Sequence, residues 1–481
     1  MSENFKRENR ESLSASSPQD LERSENAQCG NADMHAGRQS DDDVVPTKST
    51  NKGAAEAHKE PVELPSWSQA ESTEGRSSAE WNTAEDALYG TPSPNEYRSR
   101  GLDSVREAAR KDRTLKFTAL LHHVNESALT EAYYELKRNA AVGVDEVTWG
   151  EYGEDLEANI RDLHGRVHRG AYRAKPSRRS WIPKPDGRLR PLGIPALEDK
   201  IVQQAVLWVI QAIYEQDFLG FSYGFRPGRS CHQALDALTV GLTKRKVSWV
   251  LDADIEGFFD AIDHGWMIKF LEHRIGDRRI LRLIRKWLRA GVSEDGEWSE
   301  TTVGTPQGGV ISPILANVFL HYVFDLWIEW WRRKRCRGDC MVIRYADDFV
   351  IGFQYQYEAI ACLNALRARL AKFGLKLHEG KTRLIEFGRF AADNRKERGA
   401  GKPETFNFLG FTHVCAKTWS KGWFTIHRYS MAKRITAKLC EIRDKLRRRM
   451  HEPVGVTGKW LRQVVRGWLN YHAVPHNSKR I

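Results

Sequence analysis

An α+β fold is what this 481-residue sequence predicts. Three observations support it. In "FTALLHHVNESALTEAYYELKR", within a segment from Leu102 to about Arg138, apolar residues recur three and four apart, as on a helix with one buried face. After Gly143, helical segments alternate with short strand-like runs, among them 247–255, 341–343 and 349–351. No internal repeat suggests a solenoid or an array instead.

The first hundred residues stand apart. They are polar, hold few large aliphatics and carry 11 basic against 19 acidic side chains. Such a stretch cannot bury enough apolar surface to offset its chain entropy, so residues 1–104 are expected to form a disordered acidic tail. The rest of the chain sums to +20, a charge suited to a polyanion such as nucleic acid or an anionic membrane surface. No apolar run has the length of a membrane span, and the N-terminus has no apolar signal region. A cytoplasmic protein with reduced thiols is expected. Its seven cysteines are scattered, and the isolated Cys336/Cys340 pair lacks the further ligands of a zinc site.

The run "VSWVLDADIEGFFDAIDH" reads as a strand followed by helix from about His264. Asp252 and Asp254 lie two apart within it and so share a face. In "MVIRYADDFVIGF" two strand-forming runs flank Asp347 and Asp348, an acidic turn. Carboxylates among buried strands are costly unless paired or bound to a cation. A solvated turn is the plain alternative, but the apolar flanks favour metal. Brought together, Asp254, Asp347 and Asp348 suit two Mg2+ ions, since hard cations take oxygen ligands.

Seven blocks in order carry a family resemblance. They are "IPKPDGRLRPLGIPALEDKIVQQAV" (182–206), "YGFRPGRSCHQAL" (223–235), "ADIEGFFD" (253–260), "GTPQGGVISPILANVFLH" (304–321), "YADD" (345–348), "GLKLHEGKTRLIEFG" (374–388) and "FNFLGF" (406–411). From about residue 105 onward the chain resembles the reverse transcriptases of bacterial group II introns, which also act as splicing maturases. The resemblance implies a right-hand polymerase: an N-terminal helical extension and fingers (105–250), a palm with an antiparallel sheet (251–412), and a basic thumb with a truncated maturase domain of which only the start is present (413–481). It implies an RNA template or group II intron RNA, a DNA primer and dNTPs as partners, and no membrane.

It also implies roles. Asp254, Asp347 and Asp348 are the catalytic acids, and Asp254, Ile255, Asp347 and Asp348 the metal set. Lys184 and Arg190, beside the "PDG" turn, grip the triphosphate, with Arg188 a rival for that task. Gln307 lies beside the incoming nucleotide. Phe259 leaves no room for a 2′-hydroxyl, and Lys381 protonates the departing pyrophosphate. Arg226 and Arg229 contact the template backbone, and Phe406, Phe408 and Phe411 belong to a hairpin holding the primer end. Each also has a plainer reading, as surface charge or core.

The C-terminal stretch carries 13 basic and 3 acidic residues from Ser430 onward. Ile435, Leu439, Ile442, Leu446 and Met450 form one helical stripe, and Lys433, Arg434, Lys438, Arg443 and Arg447 lie off it, as on a surface that tracks phosphates. A second helix, "GKWLRQVVRGWLNYHAV", resembles the start of the maturase domain, with His472 where the family usually has an aromatic. Intron splicing is expected to be impaired by the truncation, and DNA cleavage is not expected. Two alternatives stand beside this reading: a non-enzymatic RNA-binding splicing cofactor, and a host-serving reverse transcriptase without an intron.

Overall fold

The computed structural model describes residues 101–183, 189–294, 296–305 and 307–481. Residues 1–100 of the expected tail lie outside these, as do Lys184 and Arg188. A helix at Asp103–Lys111 already starts within the last residues assigned to that tail.

The described strands are β1 (Ser177–Pro183), β2 (Leu189–Ile194), β3 (Trp249–Asp254), β4 (Val292–Glu294), β5 (Glu297–Ser299), β6 (Cys340–Tyr345), β7 (Asp348–Phe353), β8 (Arg383–Glu386), β9 (Phe406–Phe408), β10 (Phe411–Lys417) and β11 (Phe424–Ser430). They form three sheets, in the orders β2-β1-β4-β5, β6-β7-β3-β8 and β11-β10-β9. The mixture of helix and sheet is the α+β fold expected.

The central sheet, β6-β7-β3-β8, is antiparallel throughout. Its alternating side chains feed two separate cores. Leu251, Val342, Phe349 and Ile351 join a large helical core. Val250, Met341, Ile343, Val350 and Ile385 join a second core with Phe406, Phe408 and Phe411. Burial on both faces explains why these strands read as nearly continuous apolar runs instead of alternating ones.

Helix Leu197–Tyr214 buries most of its surface in the large core. So does helix Ser312–Leu320, which passes through a π-helical turn, His321–Asp325, into helix Leu326–Lys334. Such turns recur beside functional sites, and this one lies under the central sheet. On the other face, helix Cys231–Lys244 packs Ala234, Leu235 and Leu238 against the second core.

The C-terminal helices, Ala432–Arg448 and Val454–His472, bury only His472. The stripe Ile435, Leu439, Ile442, Leu446 and Met450 is nowhere fully buried: Leu439 is 61% and Met450 70% exposed, and the other three are half-buried. What docks is the end of the second helix. Tyr471 stacks on Phe411 at 5.6 Å and donates from its hydroxyl to the Leu409 carbonyl at 2.8 Å. His472 Nδ1 lies 2.6 Å from Ser430 Oγ, and Asn477 Oδ1 accepts from the Ser430 amide. Burial and the charges of Arg434 and His232 push His472 down to about 4, so it stays neutral in this joint.

Candidate active site

The three acids meet because two strands are in register. β3 and β7 pair antiparallel, with Asp254 opposite Asp348 at the end of the ladder. β6 and β7 are joined by a two-residue turn, Ala346–Asp347, with Tyr345 opposite Asp348. Ala346 has φ of 54°, a left-handed conformation uncommon for a residue with a side chain. Ile255 follows β3, with its side chain buried and its backbone bridging to Leu377.

This crowding has an electrostatic cost. Enclosure by the protein, with a contribution from Asp254, pushes the Asp347 carboxyl up to about 6, while Arg190 and Lys381 oppose the rise. Desolvation of the Asp348 carboxyl, with the charges of Asp347 and Asp254, raises it well above the usual range.

The nearby cation is Lys381, whose Nζ lies 2.5 Å from Asp254 Oδ2. The segment carrying it is fastened along β3: the His378 amide donates to the Asp254 carbonyl at 2.9 Å and the Glu256 amide to the Lys376 carbonyl at 2.9 Å. Among the described residues, no three His, Cys, Asp or Glu side chains gather closely enough to hold a metal as they stand. The donor set still fits a hard divalent cation: carboxylate oxygens in excess, with two of the carboxyls held above their usual pKa range by burial and by one another's charge. A cleft of about 400 Å³ opens over Asp252, Asp254, Asp348, Lys381, Arg383, Asn407 and Phe408 of β9, and Leu409 in the turn after it. In it Asp252 is pushed up to about 6 by burial, against the pull of Arg383 at 3.6 Å.

Beneath the acidic turn lies Arg344, fully buried. Its Nε and Nη2 donate to Asp325 at 2.7 and 2.6 Å, Nη1 to Asn317 and the Ala346 carbonyl at 3.0 Å each, and Nη2 to Ser222 Oγ at 2.7 Å. Sequence reasoning passed over this residue, although an arginine inside the apolar run "MVIRY" is the kind of signal that marks a buried ion pair. Its partner sits in the π-helical turn, which no sequence pattern announced.

Comparison with known proteins agrees with this geometry. Residues 182–413 match the family model described as reverse transcriptase (RNA-dependent DNA polymerase). Protein YkfC of Escherichia coli (strain K12) is 35% identical over 275 residues, 50% of this chain and 71% of that protein. Group II intron-encoded protein LtrA of Lactococcus lactis is 41% identical over 169 residues, which is 34% of this chain and 27% of LtrA. The chain belongs to the reverse transcriptase and maturase family of group II introns. Nuclear intron maturase 2, mitochondrial, of Arabidopsis thaliana is a more distant relative, 28% identical over 27% of this chain and 23% of its own length. The stretch matched in LtrA is thus about a quarter of that protein.

The reverse transcriptase blocks pack around the acids. The Thr305 amide donates to the Phe259 carbonyl at 2.8 Å, and the Gly193 amide in β2 to the Gln307 carbonyl at 2.6 Å. Gly308, at φ of 112°, would set a Cβ 2.7 Å from the Gly193 carbonyl, so this close approach requires glycine. Gln307 Nε2 reaches both Asp260 carboxylate oxygens at 3.3 Å. Phe259 is buried, edge-on to Phe258 at 5.4 Å. Arg190 lies on β2 opposite Ile182, near enough to Asp347 for its charge to be felt there.

The two arginines of "GFRPGRS" part company, and one expectation is corrected. Arg226 is buried, pairs with Glu215 at 3.0 Å and donates to the Leu219 and Ser222 carbonyls at 2.8 Å each. A guanidinium saturated by the protein's own acceptors holds its loop and is not offered to a template. Arg229 is half-buried over the Tyr223 ring, 5.1 Å from its centroid. On helix Ala432–Arg448, Lys433, Arg434, Arg443 and Arg447 are exposed, and Lys438 pairs with Glu441 at 3.0 Å. Arg443 also has an acidic neighbour, Asp444, at 3.0 Å.

Proposed function

We propose that the chain is an RNA-directed DNA polymerase of a group II intron, extending a DNA primer along an RNA template. The observation that carries this reading is the register of β3 against β7, which sets Asp254 beside Asp348 and the Asp347 turn. Asp254 and Asp347, with Asp348 and Ile255, would hold two Mg2+ ions, which when bound activate the primer 3′-hydroxyl and stabilise the departing pyrophosphate. Arg190 faces that site from the fingers and orients the triphosphate, and Lys184 shares that task. Phe259 walls off the sugar 2′-position, and Gln307 lines the nucleotide. Lys381 neutralises Asp254 before the reaction, then donates its proton to the leaving group.

Arg229 contributes to template binding. Lys433, Arg434, Lys438, Arg443 and Arg447 hold the phosphates of the template–primer duplex or of the intron RNA, a contact weakened by salt. Among the described residues no helix is long and apolar enough to cross a membrane.

The test is primer extension on an RNA template with Mg2+ and dNTPs, comparing the intact chain with Asp347→Asn. DNA product from the first and none from the second supports the proposal. No product from a folded intact chain overturns it in favour of an RNA-binding splicing cofactor.

A further inference from the structure

At the far end of the third sheet, β10 and β11 are joined by a tip, "TWSKGW", that nothing in the proposed reaction uses. The tip is ordered by its own bonds. The Thr418 amide donates to the Trp423 carbonyl at 2.7 Å, the Gly422 amide to the Thr418 carbonyl at 2.9 Å, and the Trp423 amide to Thr418 Oγ1 at 3.0 Å. It presents two indoles to solvent: Trp419 is fully exposed and Trp423 65% exposed. Large apolar side chains are seldom left so open together without a partner. Lys421 Nζ lies 4.7 Å from the Trp423 ring centroid, so a cation accompanies the aromatic face.

The charge around the tip narrows the partner. From Thr405 to Cys440 there is no acidic residue, while Lys417 and Lys421 supply positive charge at the tip itself. Flat aromatic faces set among cations are the recognition chemistry of unpaired nucleobases on a phosphate backbone. The same sheet lines the acid cleft at its other end, through Asn407, Phe408 and Leu409. Six steps of β10 separate Phe411, next to that turn, from Lys417 beside the tip, about 20 Å at the usual rise per residue.

We infer that the Trp419–Trp423 tip is a stacking platform for single-stranded nucleic acid, a second contact beyond the acid cleft. It rests on the polymerase reading only for the class of partner.

The experiment uses the full chain, its Trp419→Ala/Trp423→Ala variant and the corresponding double Phe variant. Binding of a labelled single-stranded RNA 12-mer, the same 12-mer in an RNA–DNA duplex, and anionic phospholipid vesicles is measured across a salt series. Primer extension is run in parallel. The double Ala variant is expected to lose about tenfold to a hundredfold in single-strand affinity with an unchanged salt slope, and the Phe variant to keep most of it. Duplex affinity is expected to change little. Unchanged single-strand affinity, an equal loss for duplex, or vesicle binding lost in place of RNA binding would each overturn the platform. A chain that never extends a primer but shows the Trp-dependent loss overturns the polymerase and keeps the platform. A chain that extends primers but binds single strands independently of both tryptophans does the reverse.

Discussion

Arg344 and Asp325 form a fully buried, two-pronged ion pair under the turn that carries Asp347, and the same guanidinium holds the Ala346 carbonyl at 3.0 Å. The pair therefore connects the π-helical turn to the left-handed residue of the acidic hairpin. Removing one partner leaves an uncompensated buried charge, so Asp325→Asn is expected to cost about 3–5 kcal/mol in unfolding free energy. The double variant Asp325→Asn/Arg344→Gln should recover part of that loss. Denaturant unfolding of both singles and the double, analysed as a cycle, checks the coupling. Additive losses would mean that the two residues act independently.

Gly224 lies against the same hairpin, where an added Cβ would stand 2.4 Å from the Ala346 amide nitrogen. Neither backbone can yield without moving the turn. Gly224→Ala is therefore expected to cut primer extension by roughly tenfold or more, because small displacements of reacting groups are that costly. Single-turnover rates at saturating dNTP measure it; a wild-type rate would show that the hairpin tolerates the displacement.

Lys381 stands where a cation is needed before any metal arrives, 2.5 Å from Asp254. Lys381→Ala should slow nucleotide addition by about a hundredfold, the low end for loss of a general acid. The Mg2+ concentration for half-maximal rate should fall in the same variant, because a competing charge has gone. A slower rate with an unchanged Mg2+ requirement would leave the acid role and remove the competition.

Phe259 is held by the core on one side and by the Thr305 amide on its carbonyl. Phe259→Val should open space for a 2′-hydroxyl and reduce discrimination between dNTP and rNTP by roughly tenfold or more. Competitive incorporation of the two nucleotide types reads it. Unaltered discrimination would place the sugar gate elsewhere.

His321, in the π-helical turn, is fully enclosed, and burial with the charge of Arg344 pushes it down to about 3. Its folded pKa lies below the unfolded value of about 6.5. Stability is thus full above about pH 6.5 and falls as the pH drops toward 3, by at most about 1.4 kcal/mol per pH unit. Asp199 and Asp217, both raised to about 6, act in the opposite sense between about pH 6 and 4, so the histidine's part is read by difference. His321→Asn should flatten the loss of Tm between pH 7 and 5 relative to wild type. An identical slope would show that this imidazole does not titrate on unfolding.

Much of this was legible in the sequence because it depends on neighbours along the chain. Alternation placed Asp252 and Asp254 on one face, apolar flanks marked the Asp347–Asp348 turn, and helical spacing separated the basic residues from the Ile435–Met450 stripe. The antiparallel sheet and the meeting of Asp254 with Asp348 were expected from ordered blocks, and the register of β3 against β7 agrees.

What the tertiary structure alone decided involves partners far apart in sequence. Arg226 looked like a template contact but is saturated by Glu215 and two carbonyls. Arg344 looked like one strand residue among several but is tied to Ser222, Asn317 and Asp325. Tyr471 reaches back across the chain to fasten Leu409, while Trp419 is left in the open. A side chain's type and local period state what it can bind; whether its donors are consumed inside or offered outside depends on which distant segment folds against it, and for charged and aromatic residues that choice separates scaffold from site.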